Sequence, residues 1–148
     1  MNLKSLKILL QNVCKNTPIV QTLLETQKDY DIILIQEPLW SEIRKIPSSS
    51  NSKGDPLIGT SHHPNWIMFG RTPANSNDLP RVISYVNIHL SPFQFLLCKD
   101  IINHKDINLI SFFNDNTYFF ILNVYSNSSH TALKYLKCYD TRVWTDFG

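Results

Sequence analysis

The spacing of hydrophobic positions changes twice within the first 40 residues. Apolar residues alternate over residues 6–13, which predicts a strand with Asn12 at its end. Helical spacing follows, and Asn16 or Thr17 can cap that helix. The apolar run in Ile32–Gln36 then occupies both faces, as expected for a buried strand. This order predicts two strands of one sheet joined by a helical crossover.

The remainder of the chain shows short β-type segments separated by polar loops. The predicted strands cover residues 65–70, 81–88, 93–98, 106–113 and 117–125. The last two flank "NDN" and predict a hairpin, whereas residues 47–56 predict a loop. Ser129 can cap a short helix that continues to residue 139. One βαβ unit followed by antiparallel strands indicates an α/β or α+β sandwich.

Polar residues stand where the first two predicted strands end. Asn12 closes the first strand, and Glu37 follows the second one directly, before Pro38. If the two strands are parallel neighbours, both side chains emerge at the same edge of the sheet, where α/β proteins bind ligands. A carboxylate beside an amide suits Mg²⁺, which prefers oxygen ligands and keeps several waters. From this spacing alone, the ordinary interpretation is that Glu37 closes a strand end that faces solvent, as a lone glutamate after a strand usually does.

Composition limits the range of functions without choosing among them. The 148 residues carry a net charge of +2, which is too small to indicate nucleic-acid binding by itself. Cys14, Cys98 and Cys138 have neither disulfide-framework nor metal-site spacing. No apolar run reaches the roughly 20 residues of a membrane span, and the N-terminus lacks a signal-peptide pattern. We therefore expect an intracellular protein, nuclear or cytoplasmic, with no membrane partner; the sequence does not define its oligomeric state.

Three motifs together resemble a known family. "LKILLQNV", "YDIILIQEPLW" and "FILNVYSN" occur in this order and each fits a strand end. In this they are similar to the endonuclease/exonuclease/phosphatase superfamily, and more narrowly to the endonuclease domain of fungal non-LTR retrotransposons. "HPNW", "PRVISYV" and "DIINH" resemble the same subgroup. The resemblance extends from Leu6 to Lys137.

The resemblance implies a fold, a site and a substrate. The fold would be part of a four-layer α/β sandwich. Glu37 would ligate a divalent cation, Mg²⁺ or Mn²⁺, and Asn12 would help to organise the metal and the phosphate. Tyr125 would contact the substrate phosphate, and the substrate would be DNA. We therefore expect Asn12, Glu37 and Tyr125 to converge at one edge of a sheet.

Two further family motifs are absent from the chain. The family's G-D-F-N and S-D-H segments, which supply the D-x-N pair and the catalytic histidine, do not occur in the 148 residues. "TDFG" at residues 145–148 is only superficially similar, and Asp146 stays unassigned. These absences predict a single truncated domain, residues 1–148, with its C-terminal half missing and without independent phosphodiesterase activity. A non-catalytic nucleic-acid-binding module and an interaction module are the alternatives.

Overall fold

The computed structural model describes residues 6–43, 57–59, 61–71, 73, 77–90 and 93–137. Two α-helices, α1 (Thr17–Thr26) and α2 (Thr131–Lys137), and one 3-10 turn, Ile88–Leu90, are present in that part of the chain. The strands are β1 (Ile8–Asn12), β2 (Ile32–Gln36), β3 (Ser41–Ile43), β4 (Leu57–Gly59), β5 (Trp66–Phe69), β6 (Val82–Asn87), β7 (Gln94–Leu97), β8 (Ile107–Phe113) and β9 (Tyr118–Val124). Neither described helix is long enough to cross a membrane.

The strands form two larger sheets and a short ribbon. The four-stranded sheet has the order β1-β2-β6-β5, and the three-stranded sheet has the order β7-β8-β9. Strands β3 and β4 pair with each other. Only the β1–β2 pair among these ladders is parallel, as the predicted helical crossover requires.

Helix α1 covers one face of the four-stranded sheet. Its predicted cap is confirmed, because the Asn16 side chain accepts a hydrogen bond of 3.1 Å from the backbone N–H of Ile19. Val20 and Leu24 are buried on its inner side. They form one core cluster with strand residues that include Ile33 and Ile35. Burial of this apolar face fixes the helix against the sheet.

The opposite face of the four-stranded sheet packs against the three-stranded sheet. Ile32, Leu34 and Val86 from one sheet share a core cluster with Ile110 and Phe112 from the other. A third cluster joins β8 to α2 through Ile107, Leu109 and Ala132. The layers are therefore α1, the four-stranded sheet, the three-stranded sheet and α2, which confirms the predicted α+β sandwich class.

Polar side chains tie β9 to the four-stranded sheet. The Asn123 amide nitrogen donates to the carbonyl oxygens of Ile35 at 3.3 Å and Ile83 at 3.1 Å. Gln36 Nε2 donates to the Val124 carbonyl oxygen at 2.7 Å. These bonds cross between the sheets, so they fix the end of β9 beside the end of β2.

The structure differs from the sequence predictions in a few local features. The β3–β4 ribbon was not predicted, because strands of three residues carry too little periodicity to be recognised. Helix α2 begins at Thr131, and the side chain that accepts from its first N–H is Asn127 rather than the predicted Ser129. The predicted loop 47–56, the helix end beyond residue 137, Cys138 and the "TDFG" segment lie outside the described residues. The assignment of residues 1–148 to one truncated domain stays a prediction.

Candidate functional site

The candidate site lies where β2 ends and β6 begins. Asn12 is the register partner of Gln36 in the parallel β1–β2 pair, so Asn12 and Glu37 lie at the same sheet edge. Gln36 is also the register partner of Val82 in the antiparallel β2–β6 pair. Arg81 therefore lies opposite Glu37, and the Glu37 N–H donates to the Arg81 carbonyl oxygen at 2.8 Å.

The backbone of Glu37 explains how a buried strand stops at a carboxylate. Its φ of 55° is in the left-handed region. A residue with a Cβ pays roughly 1–2 kcal/mol for this conformation. Besides its own N–H bond to Arg81, its carbonyl oxygen accepts from the Lys15 N–H at 2.8 Å. The two hydrogen bonds hold the turn, which takes the Glu37 side chain out of the strand pattern.

Tyr125 reaches Glu37 from the other sheet. It directly follows β9, and its hydroxyl donates to Glu37 Oε1 at 2.8 Å. The pKa of Tyr125 is raised above its ordinary value of 10.0. The main cause is this hydrogen bond to Glu37, and desolvation is the second cause. The contact joins residues 88 positions apart in the chain. Two of the three predicted site residues are thus in direct contact.

Asn12 takes a different position from the other two. Its side chain is exposed, and Oδ1 accepts from the Cys14 N–H at 2.9 Å. Within the described residues, no hydrogen bond joins Asn12 to Glu37 or Tyr125. Asn12 thus stabilises a turn in which Cys14 and Lys15 both have positive φ, 47° and 60°. It lies at the predicted edge but shapes the loop beside the site, and the roles predicted for all three residues stay predictions.

An ion pair between the partly exposed Arg81 and the buried Asp106 lies next to Tyr125. Arg81 Nε and Nη2 donate to the two carboxylate oxygens of Asp106 at 2.5 and 2.6 Å. The Asp106 side chain is 0 % exposed, whereas that of Arg81 is 31 % exposed. Thr131 Oγ1 also donates to Asp106 Oδ2, at 2.9 Å. The Arg81 guanidinium carbon lies 5.1 Å from the centre of the Tyr125 ring, within the range of a cation–π interaction.

An open cleft of about 320 Å³ runs beside these residues. Its charged lining consists of Lys15, Glu37, Arg81 and Lys105. Its apolar wall includes Leu39 and Trp40, whose indole N–H donates to the Pro80 carbonyl oxygen at 2.6 Å. Three cationic side chains around one carboxylate make the cleft suited to an anion, and Glu37 is the one carboxylate of this lining that could bind a metal ion.

His104 lies behind the ion pair, outside the cleft lining. Its Nδ1 accepts from the Asp106 N–H at 3.0 Å, and its ring packs 4.9 Å from that of Tyr135 on α2. Burial lowers the pKa of His104 below 6.5, against an opposing effect of Asp106. In the described part of the chain, no three His, Cys, Asp or Glu side chains are clustered as ligands for one metal ion.

No protein-family model matches the chain, and no curated protein matches it either. Among solved structures, it is similar to "Endonuclease domain of TRAS1, a telomere-specific non-LTR retrotransposon". It shares that fold. The TM-score is 0.59 at 14% sequence identity, and the match covers 89% of this chain and 51% of that one. The chain thus spans about half the length of the solved domain.

Sequence reasoning missed several residues around the site. Arg81 and Asp106 each stand directly before a strand that is almost wholly buried, β6 or β8. A charged residue directly before a buried strand could have been recognised as a candidate site residue, because its side chain lies at the edge of the sheet. Lys15 and Lys105 gave no such signal. Their placement depends on a left-handed turn and on the pairing of Arg81 with Lys105, whose backbone groups form a 2.6 Å hydrogen bond.

Proposed function

We propose that this chain supplies the metal- and phosphate-binding edge of a DNA nuclease fold. The hydrogen bond between Tyr125 and Glu37 carries the proposal, because it brings two residues from different sheets together beside a cationic cleft. The name of the structural neighbour describes a retrotransposon endonuclease domain, which supports DNA as the ligand. The proposal covers a nuclease-type binding site rather than a complete catalytic centre.

The cation would be Mg²⁺ or Mn²⁺, held by Glu37. Only Oε1 of Glu37 is bonded within the described residues, which leaves Oε2 for a ligand bond. A single carboxylate with waters is a usual arrangement for Mg²⁺, and such a site binds weakly. Asn12 would contribute less than predicted, because its Oδ1 already accepts from Cys14. The bound cation would polarise a phosphate oxygen.

The DNA phosphate would bind beside the metal ion held by Glu37 and next to the basic side chains that line the cleft. The Tyr125 hydroxyl is within hydrogen-bond reach of the carboxylate that would carry the metal, so it is well placed to contact the same phosphate. The hydroxyl has a single proton, so Tyr125 would donate to the phosphate in place of its present bond to Glu37 Oε1.

We further propose that these 148 residues do not cleave DNA by themselves. They contain neither G-D-F-N nor S-D-H, and with those segments go the family's general base and its D-x-N pair. Loss of a general base alone lowers a rate by about 10²–10⁴. Where several residues act as one catalytic unit, loss of any one of them can lower the rate by roughly 10⁶. The remaining site would then bind DNA without hydrolysing it. This corresponds to the non-catalytic nucleic-acid-binding module considered as an alternative above.

Two assays test this function on the purified chain. In a supercoiled-plasmid nicking assay with Mg²⁺, we expect the natural chain and Glu37→Ala to give the same background. Fluorescence anisotropy with a labelled DNA duplex should show that Mn²⁺ strengthens binding by the natural chain and not by Glu37→Gln. Nicking that disappears in Glu37→Ala would contradict the proposed inactivity. Equal Mn²⁺ stimulation in both proteins would remove Glu37 from the metal role.

A further inference from the structure

The two edges of the Arg81 guanidinium have different surroundings. Nε and Nη2 are bonded to the carboxylate of Asp106, in the bidentate geometry that an arginine–carboxylate pair prefers. No hydrogen bond joins Nη1 to any residue that the structure describes. Arg81 also lines the cleft and is 31 % exposed, whereas Asp106 is fully buried. The pair therefore has a closed side and an open side.

We propose that Arg81 binds a DNA phosphodiester in the cleft, and that Asp106 and Thr131 are positioning residues that hold it ready. The inference rests on the proposed function for its ligand, but it concerns a different set of residues from the metal site. A buried ion pair alone does not require exposure of either partner. Here the open side of Arg81 faces a cleft that Lys15 and Lys105 also line, so the guanidinium can bind an anion there while it stays paired with Asp106.

Asp106 and Tyr125 contact the guanidinium directly, and Thr131 acts through Asp106, so the group is held before any ligand arrives. Asp106 holds one edge, and Thr131 Oγ1 holds Asp106 in turn through its bond to Oδ2. The Tyr125 ring lies under the guanidinium with 5.1 Å between the ring centre and the guanidinium carbon. A side chain already held in place loses little conformational entropy on binding. Lysine could not do the same, because its single ammonium would be drawn to Asp106.

The two neighbouring lysines complete a cationic lining. The Arg81 N–H donates to the Lys105 carbonyl oxygen at 2.6 Å, and the Lys15 N–H donates to the Glu37 carbonyl oxygen at 2.8 Å. Both lysines are thus tied by their backbones to site residues. A phosphodiester carries one negative charge shared by two non-bridging oxygens, and a guanidinium group matches that pair well. Inorganic phosphate at millimolar concentration should therefore compete with DNA.

The first test compares one substitution at two arginine–aspartate ion pairs. At the second pair, Arg71 Nη2 donates to both carboxylate oxygens of Asp78, at 2.6 and 2.5 Å, but Arg71 does not line the cleft. Binding of a labelled DNA duplex is measured by anisotropy in EDTA, so no metal contributes. We expect Arg81→Lys to weaken binding roughly tenfold, the effect of one charge-assisted hydrogen bond. Arg71→Lys should change it less than about twofold, as expected for a pair outside the interface.

The second test separates positioning from general stability. Thr131→Val removes two hydrogen bonds of the Thr131 hydroxyl, the one donated to Asp106 and the one accepted from Asn127, and leaves the cleft lining unchanged. We expect it to weaken DNA binding about threefold in the natural background, but to have no further effect in the Arg81→Lys background, because coupled residues are not additive. A merely structural role would give equal effects in both backgrounds. Thermal melts check that each variant is folded.

The outcomes are decisive in either direction. Loss of binding in Arg81→Lys with retention in Arg71→Lys supports the inference, even if Mn²⁺ binding at Glu37 fails. Unchanged binding in Arg81→Lys overturns it, even if the Glu37 experiments succeed. The salt dependence gives an independent reading, since loss of one phosphate contact lowers the slope of log K against log salt by about one.

Discussion

Strand β2 has an acidic residue at each end, and the two acids have different surroundings. Asp31 precedes the strand, and its carboxylate accepts from the Lys7 N–H at 2.7 Å and contacts His89 Nε2 at 2.6 Å. Both of its oxygens are therefore used. Glu37 follows the strand in a left-handed turn, and only its Oε1 is bonded, to Tyr125, within the described residues.

The difference separates a structural acid from a candidate functional one. The Asp31 contacts join the start of β2 to the residues flanking β1 and β6, so they stabilise the sheet. At the Glu37 end the protein instead maintains a strained turn, a half-bonded carboxylate and a buried ion pair beside a cleft. Strain and incompletely bonded polar groups are typical of functional sites. The predictions below test this contrast.

The largest expected effect comes from breaking the buried ion pair. Arg81→Leu leaves the Asp106 carboxylate buried without its cation, and we expect the free energy of unfolding to fall by about 3–5 kcal/mol. Arg71→Leu is the control, because its partner Asp78 is 32 % exposed and can be hydrated. That substitution also removes the Arg71 bonds to Asn103 and to the Asp78 carbonyl oxygen, but it leaves no charge buried without a partner, so it should cost less, about 1–2 kcal/mol. Urea denaturation followed by circular dichroism measures both, and equal losses would show that burial of Asp106 is not costly.

A smaller effect distinguishes the two ends of β2 directly. Asp31→Gly removes two hydrogen bonds at an ordinary strand start, and we expect a loss of about 2 kcal/mol. Glu37→Gly loses the Tyr125 bond but relieves the left-handed strain, so its net change should be below about 1 kcal/mol. The same denaturation measurement tests this. A larger loss for Glu37→Gly than for Asp31→Gly would mean that Glu37 is chiefly structural.

The smallest expected effect is on pH dependence, through His104 behind the site. Because burial lowers its folded pKa below 6.5, the unfolded chain binds a proton more readily. Its contribution to stability is therefore present above pH 6.5 and is lost as the pH falls through the folded pKa. We expect His104→Gln to show a shallower decrease in unfolding free energy between pH 7.5 and 5.5, an interval of about two pH units chosen to span this transition. An identical pH profile in the variant would contradict this account.

The local elements were the most predictable part of the fold. Strand β2 was predicted with its observed bounds because its residues are apolar on both faces, and the observed cap, Asn16, was one of the two capping residues predicted. The hairpin of β8 and β9 followed from two apolar runs around "NDN". The β3–β4 ribbon was missed because it depends on tertiary pairing rather than on a sequence pattern.

The candidate site was predictable only in part. Parallel pairing places Asn12 and Glu37 at one edge, and the family resemblance added Tyr125. The position of Arg81 depends on antiparallel pairing between β2 and β6, which lie more than 40 residues apart. The loop around Asn12 turns its side chain toward Cys14 through positive-φ residues that have no sequence signature here. Such long-range and loop-dependent features require the folded structure.

We propose above that Glu37, and not an acid in general, makes this edge a cation site. Titration of Mn²⁺ into the natural chain, Glu37→Gln and Asp31→Asn, followed by electron paramagnetic resonance of the free ion, tests it most directly. The account predicts weak binding by the natural chain and by Asp31→Asn, and its loss in Glu37→Gln. Equal Mn²⁺ binding by the natural chain and Glu37→Gln would contradict it.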